Sequence, residues 1–200
     1  MKKILILVSS LFLSCCMFAQ NADIQKGIEY HNKAHTGDLS NAQKCIDTLK
    51  PYIDSDAVAC AYYGSALTLL AANAIENNNP IKSLEYLEEG GKFLDKAVKL
   101  DPKNIIVRII RLENGIEVSR TSPIKRYAVI KDDVDFLQED SVIMSVGGEI
   151  QAEIFADCGL YLLDSGDLDG ALDLFDMAVE VGGSSEWAKL AQQMIDKYSE

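Results

Sequence analysis

Residues 159–178 read G-L-Y-L-L-D-S-G-D-L-D-G-A-L-D-L-F-D-M-A, and this stretch limits the fold more than any other in the chain. Ala171, Phe175 and Ala178 recur at i, i+4 and i+7, which places them on one apolar stripe of a helix. Gly166-Asp167 breaks the preceding helix with a turn, and Gly159 removes a side chain where that helix must approach its neighbour. Two short helices joined in this way cannot bury such a stripe by themselves. The pattern therefore predicts stacked copies and a surface left for binding.

The pattern of Gly159, Gly166, Asp167, Ala171, Phe175 and Ala178 resembles the tetratricopeptide repeat, a helical hairpin with a small residue on its first helix and Ala-aromatic-Ala on its second. A second echo runs from Leu94 through Ala97, Asp101 and Pro102 to Asn104, similar to the end of such a repeat and its Asp-Pro-x-Asn connection. A third is Gly37-Asp38 with Ala42 and Ile46, where Tyr30 stands in place of the small residue. The resemblance implies an all-α solenoid of about four antiparallel hairpins closed by a C-terminal capping helix. Its inner face would be lined by first-helix residues: Ala61, Ser65 and Thr68, and in the last repeat Glu153, Ala156 and Leu160.

Helical periodicity runs from Asp23 to the end, with no alternating run that argues for a strand. The helices are expected at 23–37, 39–52, 55–76, 80–100, 103–119, 123–139, 142–165, 167–182 and 185–198. Asn79-Pro80, Asp101-Pro102 and Ser122-Pro123 each read as a capping side chain followed by a proline suited to the first helical turn. Residues 57–75 carry no charge, yet they are rich in Ala and include Gly64, Ser65, Thr68 and Asn73. A buried central helix suits that composition better than a membrane span.

The N-terminus reads as a signal peptide over residues 1–19: Lys2 and Lys3 precede the apolar run from Ile4 to Leu13. Cleavage after Ala19 would leave a repeat domain over 20–200, periplasmic or secreted, and Leu13-Ser14-Cys15-Cys16 offers the alternative of lipidation at Cys15 or Cys16 and a membrane-anchored lipoprotein. Beyond the leader stand Cys45, Cys60 and Cys158. Cys45 and Cys60 fall on adjacent helices, where a bridge and two buried thiols are both open.

The net charge of −12 is uneven: residues 1–102 carry −2, residues 103–131 carry +5, and residues 132–200 carry −15. The acidic third would repel phosphates, so nucleic acid is excluded as a partner. The basic island holds Lys103, Arg108, Arg111, Arg120, Lys125, Arg126 and Lys131. Arg108 and Arg111, with Lys125 and Arg126 on the next helix, suit an acidic peptide or a ligand carboxylate. They suit Asp132, Asp133 and Asp135 of this chain equally in kind, and that account is favoured on charge balance.

Catalytic and metal-binding patterns are missing. No nucleophile motif, phosphate-cradling glycine loop or dinucleotide fingerprint occurs, and no cofactor is implied. His31 and His35 stand one turn apart with nothing to complete a metal site, and they read as a solvated polar face. The run from Asp164 to Asp169 lacks a twelfth-position glutamate for calcium, Phe175 standing there instead. The sequence thus leads to an exported, non-catalytic scaffold that binds a protein or peptide. The alternative, which rests on helical-repeat lipoproteins associated with solute-binding proteins, is a component of a periplasmic uptake system that encloses a small molecule.

Overall fold

A computed structural model describes residues 22–199, and among them every regular element is a helix. The expected leader, with Ala19, Cys15 and Cys16, lies outside the described residues. Contacts divide the chain between Pro102 and Lys103 into two compact units.

The first unit contains α1 (22–35), α2 (Ser40–Leu49) with a 3-10 turn over Lys50–Tyr52, α3 (Ala57–Glu76) and α4 (Pro80–Leu100). The single expected helix at 39–52 tightens at Lys50 because Pro51 brings no backbone N–H to continue the ladder. Asp56 caps α3 by accepting from Ala59 N at 2.8 Å, and Asn79 caps α4 by accepting from Lys82 N at 3.1 Å with Pro80 in the first turn. By length and composition α3 could cross a membrane; here it is a core helix, packed against α2 and α4. Its small residues serve that packing: Ala59, Ala61, Ala66 and Ala71 are buried, and Gly64 meets Gly90 of α4. Ile46, Leu49, Tyr63 and Leu67 fill the core between them.

The second unit contains α5 (Ile105–Thr121), α6 (Tyr127–Leu137), the short α7 (Asp140–Ile143), α8 (Gly148–Ser165), α9 (Leu168–Gly182) and α10 (Glu186–Tyr198). α8 packs against α5, α6, α9 and α10, and its core is Ile109, Leu112, Ile130, Leu137, Ile154, Phe155, Leu174 and Phe175. At the α8–α9 turn Gly166 adopts φ +89°, and Asp167 N donates to Leu162 O at 2.9 Å, which closes the helix end. Asp167 then caps α9 by accepting from Gly170 N at 3.0 Å. A Cβ placed on Gly159 would lie 2.6 Å from Phe175 Cε1, so the glycine opens the space that the ring fills. The residues first singled out in the sequence thus meet in the fold.

Three boundaries differ from the sequence reading. α5 is capped by Asn104, which accepts from Val107 N at 3.2 Å, and Asp101-Pro102 lies before it. α6 begins at Tyr127 because Ser122 is extended (φ −135°, ψ 168°) before Pro123, as the proline ring demands of its predecessor. The helix expected over 142–165 is broken: α7 stops at Ile143 and α8 starts at Gly148. Gln151 stabilises the break by donating from Nε2 to Ile143 O at 2.8 Å and Val146 O at 3.1 Å, carbonyls that a continuous helix would have paired itself.

Candidate functional site

The basic island turns inward. Arg111, 7% exposed, holds Asp133 through two parallel bonds, Nε to Oδ2 at 2.7 Å and Nη2 to Oδ1 at 2.8 Å. Arg108 adds Nη1 to Oδ1 at 2.9 Å, donates to Asp132 O at 3.2 Å, and lies 4.5 Å over the Phe136 ring. Asp133 is fully buried, so this charge-assisted fork joins α5 to α6 rather than offering two guanidiniums to a ligand. Arg120 makes a second fork to Asp164, at 2.7 and 2.8 Å, with Tyr127 Oη donating to the same carboxylate at 3.0 Å. Lys125 donates its ammonium to the carbonyls of Ser119 and Ser122 at the end of α5, and the backbone N–H of Arg126 donates to Ser119 Oγ at 2.7 Å. Arg108, Arg111, Arg120 and Lys125 therefore serve the internal structure of the second unit.

The residues proposed to line an inner face in the first unit are also inward. Ala61 is fully buried, and the Thr68 hydroxyl donates to Ser65 O at 2.7 Å. Ser65, 8% exposed, bonds to His31 Nε2 at 2.8 Å. His31 is therefore not part of a solvated face; only His35 is exposed. The His31 ring packs edge-on to Tyr62 at 5.0 Å and locks α1 to α3. Burial lowers its pKa from 6.5 to about 4 against an opposing hydrogen bond with Asn32, and His35 adds a smaller push downward, so the ring is neutral at pH 7. Ser65, sunk in the middle of α3, offers no hydroxyl to a substrate.

Cys45, Cys60 and Cys158 are free buried thiols, so the bridge does not form. Burial raises the pKa of Cys45 to about 12 and that of Cys60 to about 11, and it raises Cys158 as well, which keeps these sulfurs protonated and unreactive. Among the described residues no group of three or more His, Cys, Asp or Glu side chains converges as a metal would need.

In α8 the expected pair Glu153 and Leu160 is half-buried, and Ala156 is fully buried. Sequence reasoning missed their neighbour Asp157. Asp157 is 2% exposed and its Oδ2 has no hydrogen-bond partner. Burial drives its pKa well above 3.8, and the carboxylates of Glu113 on α5 and Glu153 push in the same direction, with Arg120 opposing them. Glu153 is raised from 4.5 to about 7 by burial and then by Glu113 and Glu149. The signal was present in the sequence: Glu149, Glu153 and Asp157 follow at i, i+4 and i+8, a row of like charges along one helix face.

An open groove of about 600 Å³ runs along α4 of the first unit, lined by Lys82, Glu85, Glu88, Glu89, Lys92, Phe93 and Lys96. Its lysines are partly occupied, Lys82 by Glu85 at 3.0 Å and by the Tyr86 ring at 4.6 Å, and Lys96 by Asp54. Comparison with known proteins returned no matching family model, no similar curated protein and no similar solved structure.

Proposed function

We propose that this protein is an exported, non-catalytic scaffold, built from helical hairpins like those of the tetratricopeptide repeat, that holds a protein or peptide partner. The observation that carries the reading is the packing of α8 on α9: Gly159 admits Phe175, Gly166 turns the chain in the left-handed region, and Asp167 caps the second helix. These contacts support the reading because they are the jobs such a hairpin needs done at those positions. Rigid helices fix the docking face before the partner arrives, so less ordering entropy opposes binding. The solute-binding alternative draws on a closed cavity reached by Arg108 or Arg111, and both are bound to Asp133.

The test is affinity capture with the tagged protein from the cell that exports it, followed by mass spectrometry. One protein recovered in stoichiometric amount supports the scaffold. A co-purified small molecule with no enriched protein would overturn it.

A further inference from the structure

The acidic row of α8 is graded by depth. Glu149 is exposed, Glu153 is half-buried and Asp157 is buried, all on one face of the helix and spread over about 12 Å of its axis. Glu113 flanks the row from α5, the helix that packs on this side, and acts electrostatically on both Glu153 and Asp157. The cation felt by Asp157 is Arg120, whose guanidinium is forked onto Asp164 and donates to Leu160 O at 3.3 Å. A carboxyl oxygen with no donor, at the inner end of a file of like charges, is a strained ground state that a cation relieves. These carboxylates are strung along a helix and do not form a cluster of metal-ligand type, so an elongated organic cation fits them better than a metal ion.

We propose that this face of the second unit receives a basic side chain, a lysine ammonium or an arginine guanidinium, from the protein partner. Glu149 meets it first, Glu153 holds it, and the arriving positive charge favours ionisation of Asp157 beneath, with Glu113 adding to the negative field from α5. The stretch from 132 to 200, at −15, gives the same sign of attraction at long range and raises the encounter rate of a basic partner. The identity of the bearer rests on the scaffold reading; the cation site itself does not.

The experiment titrates the purified protein with an acetylated, amidated Gly-Lys-Gly-Lys-Gly peptide and follows the Glu153 side-chain carboxyl by NMR between pH 5 and 9. The peptide is expected to lower the midpoint of Glu153 from about 7 by about one unit, and therefore to bind about fivefold more tightly at pH 8 than at pH 6. Glu153→Gln should weaken binding about tenfold, and Asp157→Asn, which removes the group that a bound cation would ionise without changing its shape, should weaken it while leaving the fold intact. An unchanged midpoint, or an equal effect from the peptide with both lysines acetylated, would overturn the site. n-Butylamine binding as tightly as the peptide would assign the site to a free amine and overturn the peptide source. A captured partner that Glu153→Gln and Glu149→Gln retain in full would also overturn it and leave the scaffold standing. A lysine effect on Glu153 in a protein that captures no partner would sink the scaffold reading alone.

Discussion

Gly64 of α3 and Gly90 of α4 meet backbone to backbone: a Cβ on Gly64 would lie 2.8 Å from Gly90 O, and a Cβ on Gly90 would lie 2.6 Å from Gly64 O. Both contacts are with backbone atoms, which cannot rotate out of the way. The two helices must separate to admit a methyl group, and separation loosens Leu67 and Leu94 beside the crossing.

Gly90→Ala is therefore expected to destabilise the first unit, although alanine favours a helix by about 1 kcal/mol over glycine. Overpacking of about 1–3 kcal/mol exceeds that gain. Thermal unfolding followed by circular dichroism should show a midpoint several degrees lower. The control is Gly147→Ala, which meets nothing within 4 Å and should change stability by less than about 0.5 kcal/mol. Equal behaviour of the two variants would contradict the close approach.

Arg111 and Asp133 give the second prediction. Asp133→Asn leaves the guanidinium of Arg111 buried against a neutral amide, and the expected loss is about 3–5 kcal/mol, as when one partner of a buried ion pair is removed. Replacing both as Arg111→Met with Asp133→Leu should recover part of that loss, because no uncompensated charge remains. Trp187, the one tryptophan, lies in the second unit and reports urea unfolding there by fluorescence. A double variant weaker than the single one would show that the fork contributes more than charge balance.

His31 makes the first unit sensitive to acid. Its folded pKa is about 4 against 6.5 for an ordinary histidine, so between these values the unfolded chain holds the proton that the folded chain refuses. Stability from this group is fully present above pH 6.5 and is lost as pH falls toward 4, with a ceiling of about 3 kcal/mol. His31→Gln keeps a partner for Ser65 and removes the titration. Its unfolding free energy should vary less with pH over that window than the native protein's; an unchanged slope would place the acid sensitivity elsewhere.

The helical class and the α8–α9 turn were legible because they depend on local pattern: apolar spacing, a glycine turn, and capping side chains at Asn79 and Asp167. Side-chain direction was not. Charge balance already favoured pairing of the basic island with Asp132, Asp133 and Asp135, but sequence gives charge and not depth, so nothing distinguishes Asp133, the buried aspartate that draws two arginines inward, from its two neighbours. His31 was misread for the same reason, since its partner Ser65 lies 34 positions away. The break between α7 and α8 depends on Gln151 reaching back to carbonyls, a contact that periodicity does not carry. Asp157 was missed although its spacing from Glu149 and Glu153 was in view, because helical acids usually face water and only burial makes this one exceptional.

Asp157 and Glu153 should give the second unit the opposite pH response from the first. Both folded pKa values are raised, Asp157 well above 3.8 and Glu153 from 4.5 to about 7, so the folded chain keeps protons that the unfolded chain has released. The stability they contribute is fully present below pH 4 and is lost as pH rises through 7 and beyond. Asp157→Asn replaces the buried carboxyl with a neutral group of the same shape, which cannot ionise and so carries no such loss. At pH 8 the variant should unfold at a higher temperature than the native protein by several degrees, and near pH 4 the difference should shrink. Trp187 fluorescence measured at both pH values decides it: a variant less stable than native at pH 8 would mean that Asp157 is held ionised by a cation within the folded chain, and the basic side chain proposed for this face would have no vacancy to fill.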